Sequence, residues 1–129
     1  MSLAVSPELQ LRAQEGRVSD EEFIECIRES LPYAWSVVNG LVGELQQKPG
    51  IGFANSQAVP PNDDAQGELL RLVASDAMRS VIERHYGVRL AFQNCCTLAL
   101  FNPDAHDAYN AFVSTQAQLL NQRPELVNC

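Results

Sequence analysis

Lysine is almost missing from this sequence: Lys48 stands alone beside eight arginines, and nowhere do three basic residues stand together. Nine basic residues against sixteen acidic ones leave a net charge of −7. Holding a phosphate backbone takes clustered cations that displace its counterions, so nucleic acid is not expected as a partner. An anionic membrane surface is disfavoured on the same ground. Long apolar runs are missing too. The longest, Val88 to Phe101, is too short to cross a bilayer. Residues Met1 to Val5 are short, uncharged and run into Pro7, unlike a secretory leader. A cytoplasmic location is therefore expected, where Cys26, Cys95, Cys96 and Cys129 would be reduced thiols.

Catalytic and metal signatures are equally scarce. The cysteines show no CxxC spacing, and neither His85 nor His106 belongs to an HExxH or ExxH pattern. Gly50-Ile51-Gly52 follows a helical pattern and not a strand, which rules out a dinucleotide fingerprint, and no GxSxG occurs. The acidic stretches lack the alternating oxygen ligands and central glycine of a calcium loop. No cofactor and no metal is expected.

What is present is helical punctuation. The 129 residues are 46% apolar and 19% charged, a globular composition and not a disordered one. A chain of this size buries roughly two-thirds of its unfolded surface without disulfides or metals. Ser6-Pro7 starts a short helix that Gly16 ends. Ser19 and Glu22 form a capping box, and apolar residues then recur from Phe23 to Leu45 at helical spacing. Pro32 breaks that stripe into helices over about 20–29 and 31–47, the second starting just after Ser30. Gly40 and Gly43 inside it each cost about 1 kcal/mol against alanine, repaid only by a close approach of backbone or ligand.

Residues 48–62 form a long loop with three prolines. Asp63 or Asp64 then caps a helix with an apolar face from Leu69 to Ile82, and Gly87 ends it in a left-handed turn. Asn102-Pro103 starts a last helix whose Ala105, Ala108, Tyr109, Phe112, Val113, Ala117, Leu119 and Leu120 face inward. Between them, Val88–Phe101 fits two periods. Val88, Leu90 and Phe92 alternate as in a strand, whereas Arg89, Gln93 and Thr97 line one stripe of a buried helix. Abundant Ala and Leu with few β-branched residues favour the helix. The expectation is a mainly α fold, a compact bundle of four to six helices in a single domain over 1–129. Residues 1–18 and 122–129 are loosely held, and the alternative is an α+β fold with a small hairpin at 88–101.

Two functional readings follow. In the first, the chain is a non-enzymatic protein-interaction or adaptor module that pairs with a protein partner or with itself as a homodimer. Trp35, the Gly40/Gly43 face or the 88–101 segment would supply the surface. In the second, a small-molecule ligand or substrate sits between helices, lined by Tyr33, Trp35, His85, Gln93, Asn94, Cys95 and Cys96. The motive is the polar Gln93-Asn94 pair inside an apolar segment, since buried amides need partners. The plainer expectations are that His85 suits a helix C-terminus, that His106 is solvated, and that Cys95 and Cys96 are small core residues.

Overall fold

The computed structural model describes residues 3–48, 50–56, 58–93 and 97–121. Along the chain run α1 (Pro7–Gln14), α2 (Asp20–Ser30), α3 (Pro32–Gln47), β1 (Phe53–Asn55), α4 (Asp63–Val73), α5 (Asp76–Tyr86), β2 (Arg89–Gln93), β3 (Thr97–Phe101), α6 (His106–Phe112) and α7 (Thr115–Leu120). The fold is mainly α, with one small antiparallel sheet in the order β1-β3-β2.

The first helices form where the caps demand them. The Ser6 hydroxyl accepts from the Leu9 amide at 3.1 Å, and Gly16 leaves α1 at φ 70. The Ser19 box closes both ways: its hydroxyl accepts from the Glu22 amide, and the Glu22 carboxylate accepts from the Ser19 amide, each at 3.2 Å. Leu31 alone joins α2 to α3 and has no side-chain acceptor to offer the new helix. Ser30 does not cap α3 either; its hydroxyl accepts from the Ala4 amide at 2.9 Å. A carboxylate from elsewhere replaces it. Glu68 on α4 accepts from the Tyr33 amide at 2.8 Å and the Ala34 amide at 3.4 Å, satisfying donors that every helix start leaves open.

The expected single helix from 63 to 87 is two. Ser75 interrupts it, its hydroxyl accepting from the Met78 amide at 3.2 Å and capping α5. Asn62 caps α4, in place of Asp63 or Asp64, by accepting from the Ala65 amide at 2.8 Å. Gly87 ends α5 at φ 65, the left-handed turn read from the sequence. Among the described residues Gly40 and Gly43 meet no close neighbour outside their own helix: a methyl group built on either finds nothing within 4 Å.

Val88–Phe101 is a hairpin and not a helix. β2 and β3 pair with Leu90 opposite Leu100 and Gln93 opposite Thr97. β1 joins the other edge of β3, Phe53 opposite Phe101, so the long loop of 48–62 holds a strand. The sheet is covered on both faces. Leu90, Leu98, Leu100 and Ala54 join the large core built from α2, α3, α4 and α5. Ala91, Ala99 and Phe101 form a second cluster with Ala105, Ala108, Tyr109 and Phe112 of the α6 region. Phe101 is its centre. It is fully buried, stacked on Phe53 at 5.7 Å, and met edge-on by Tyr109 at 5.3 Å and Phe112 at 5.5 Å.

The last helix starts later than Asn102-Pro103 predicts. The Asn102 amide donates to the Gly52 carbonyl at 2.7 Å, which prolongs the β1–β3 ladder past the end of β3. α6 begins only at His106, without a side-chain cap, and Ser114 starts a separate α7. Val113, Leu119 and Leu120, expected to face inward, are exposed.

Candidate functional site

The residues singled out from sequence separate onto different parts of the fold. Tyr33 and Trp35 lie in the first turns of α3, half-buried against the large core. His85 is exposed in the last turn of α5, where a cation suits the helix end. Trp35 and His85 meet through a residue that the sequence reading passed over. Tyr86 lies 6.0 Å from Trp35 and 4.7 Å edge-on from His85, measured between ring centroids. The signal for Tyr86 was present: it follows Met78 and Ile82 at four-residue spacing on one face of α5. Burial pushes its phenol above the usual tyrosine range. Of the three rings, Tyr86 borders a hollow of about 200 Å³ that Val42, Leu45, Gln46, Gly87, Val88 and Asn102 also line.

Gln93 lies elsewhere. It shares the α6 face of the sheet with Ala91, is only 5% exposed, and donates from Nε2 to the Phe112 carbonyl at 2.9 Å. Its amide thus finds inside the chain the partner that a ligand was expected to supply. Asn94, Cys95 and Cys96 lie outside the described residues. His106 is exposed at the start of α6, in a hollow of about 480 Å³ with Ile51, Gly52, Asn102, Asp104 and Asp107. Among the described residues, no group of three or more His, Cys, Asp or Glu side chains is placed to hold a metal ion. Cys26 is a buried free thiol, 3.5 Å from the Ala4 carbonyl.

Large apolar side chains stand exposed at β1 and along the α6–α7 segment. Phe53 is partly exposed where it stacks on Phe101, and Ile51 precedes it in the chain, also exposed. Val113 follows α6, and α7 presents Leu119 at 69% and Leu120 at 74% exposure. No residue of α7 is buried. At the β2 edge, the Arg89 guanidinium lies 3.5 Å from the Tyr109 ring centroid, a cation–π contact that fastens α6 to the sheet.

Compared with known proteins, the whole chain, residues 1–129, matches a family described as the NucS shadow ORF. No curated protein and no solved structure matches it.

Proposed function

The chain belongs to the NucS shadow ORF family, and we propose that it is a non-enzymatic, cytoplasmic protein-interaction module that pairs with a second copy through its α6–α7 side. The observation that carries this reading is α7 itself. It is a six-residue helix with two open leucines and no buried residue. Isolated helices shorter than about 12–15 residues are marginal in water, so a helix this short depends on packing, and among the described elements its main neighbour is α6. A second copy supplies further packing. Fully burying an exposed leucine contributes about 1.5–3 kcal/mol, so Leu119 and Leu120 from two copies, already partly covered, contribute about 4–9 kcal/mol before the cost of association. Val113, between α6 and α7, is exposed as well. The net charge of −7 and the scattered cations argue against nucleic acid as the partner. No described helix is long and apolar enough to cross a membrane.

Sedimentation velocity from low to high micromolar protein tests the pairing. The wild type is expected as a dimer at the upper end. Leu119→Asp with Leu120→Asp is expected as a monomer with an unchanged circular dichroism spectrum. A wild type that stays monomeric throughout overturns the reading.

A second reading, small-molecule binding near Trp35, Tyr86 and His85, draws on the aromatic row and the hollow beside Tyr86. At about 200 Å³ that hollow is smaller than a typical ligand site, which spans roughly 300–1,000 Å³. The self-pairing reading is therefore preferred.

A further inference from the structure

We infer that two copies of the chain join edge to edge along β2, Phe92 against Phe92, into one continuous sheet. The inference rests on the self-pairing reading and specifies where its twofold axis passes.

The ladder fixes which backbone groups point out of the sheet. Hydrogen-bonded and non-hydrogen-bonded pairs alternate along antiparallel strands. The Ser56 amide donates to the Leu98 carbonyl at 2.8 Å, and the Asn102 amide to the Gly52 carbonyl at 2.7 Å. The main-chain groups of Leu98 and Leu100 therefore turn to β1, and those of Thr97, Ala99 and Phe101 turn to β2. Their partners Gln93, Ala91 and Arg89 face β3, which leaves Leu90 and Phe92 facing the outer edge. One outward donor is taken: the Leu90 amide donates to the Glu83 carboxylate of α5 at 2.9 Å. At Phe92, nothing among the described residues meets the N–H or the C=O. β2 also carries neither lysine nor proline, two residues that commonly blunt an edge.

An edge residue with one open donor and one open acceptor is complementary to itself. With a twofold axis perpendicular to the sheet beside Phe92, each N–H donates to the Phe92 carbonyl of the other copy, and both bonds of one antiparallel pair close. The two rings then share a face with their Cα atoms about 5.5 Å apart, within reach of a cross-strand aromatic contact. The Phe92 ring lies partly exposed at the margin of the large core. An unrelated extended segment satisfies the same two groups, but a second copy gains more from the same axis. α6 lies along β2, with Tyr109 at Arg89 and the Phe112 carbonyl at Gln93. An axis perpendicular to the sheet keeps the α6 of each copy on one face of the joined sheet and brings the two α6–α7 segments to flank it. One axis thus serves the open edge and the open leucines together.

Amide hydrogen exchange on the full wild-type chain, resolved to single residues at low and high micromolar protein, tests the pairing without a substitution. The Phe92 amide is expected to exchange freely in the dilute sample and about tenfold or more slowly in the concentrated one. The Leu90 amide, held by Glu83 within each copy, is expected to keep its protection in both. Phe92→Pro deletes a donor that the ladder of a single copy does not use. It is expected to raise the dissociation constant of the dimer about tenfold or more, with the dichroism spectrum unchanged, and more than Phe92→Leu does. A dimer whose Phe92 amide exchanges as fast as in the dilute sample overturns the edge pairing and leaves the α6–α7 contact standing. A Phe92-protected dimer that survives Leu119→Asp with Leu120→Asp removes the α6–α7 contact alone. A monomer at every concentration overturns both.

Discussion

Glu68→Ala removes the acceptor that starts α3. The helix begins at Pro32 after Leu31, which offers no capping side chain, and Glu68 holds the Tyr33 and Ala34 amides at 2.8 Å and 3.4 Å. Losing a side-chain cap costs about 1 kcal/mol, and losing a negative charge at the positive helix end costs about 0.3–1 kcal/mol more. Only the shorter of the two bonds is near ideal length, so the sum is about 1.5–2 kcal/mol. Glu68→Gln keeps an oxygen acceptor and loses the charge, so its cost is about 0.5 kcal/mol. Ser30→Ala is the contrasting variant. It deletes an exposed bond to Ala4 and leaves the start of α3 intact, so it costs less than Glu68→Ala. The chain's single tryptophan, Trp35, lies in the same turn and reports urea unfolding directly. The midpoint should fall in the order Glu68→Ala, Glu68→Gln, wild type, with an unchanged slope. A loss below about 0.3 kcal/mol for Glu68→Ala, or a larger loss for Ser30→Ala, would refute the assignment of the cap.

Gly40→Ala and Gly43→Ala are each expected to stabilise the chain by about 0.5–1 kcal/mol, because both sit inside a helix with open space where the methyl would go; thermal melts that fall would show that those glycines are needed for a contact. Acid unfolding carries a sign that can be checked. Asp20 titrates below the usual carboxylate range because Arg84 donates to it, and Glu22 does so because the Ser19 amide donates to it. Both groups therefore contribute stability that is full above their unfolded-state values near pH 4 and is lost as pH falls through their lower folded values. Asp20→Asn should flatten the stability-against-pH curve by lowering stability at neutral pH, where the Arg84 pair is fully formed, and should converge with the wild type at the acid end, where Asp20 is already protonated. An unchanged acid limb would mean that the Asp20–Arg84 pair does not form in solution.

The parts of the fold that could be read from sequence are those specified by neighbours along the chain. Ser6, the Ser19–Glu22 box, the break at Pro32 and the left-handed Gly87 each act within about one turn, and each appears where its residues place it. The misread parts depend on a distant partner. β3 is buried along its whole length, with Leu98 and Leu100 in the large core and Ala99 and Phe101 against the α6 region. A strand covered on both faces shows no polar alternation, so its Ala and Leu content read as helix. Propensity differences of a few tenths of a kcal/mol per residue are small beside the burial of Phe101 and Leu100. The start of the last helix was misplaced for a similar reason, since Asn102 is held by Gly52 about fifty residues earlier. The break at Ser75 was hidden because Leu72, Val73, Met78, Val81 and Ile82 on its two sides all enter one core and keep a helical stripe across it. The candidate site follows the same division. Trp35 and His85 were found one at a time, but the Tyr86 ring that joins them belongs to the packing of α5 against α3. Gln93 drew attention as a buried amide in need of a partner, and that partner is the carbonyl at the end of α6. What remains unpaired by the fold is apolar: Leu119 and Leu120 on a helix too short to stand alone. That deficit, more than any polar constellation, is what a second copy of the chain would cover.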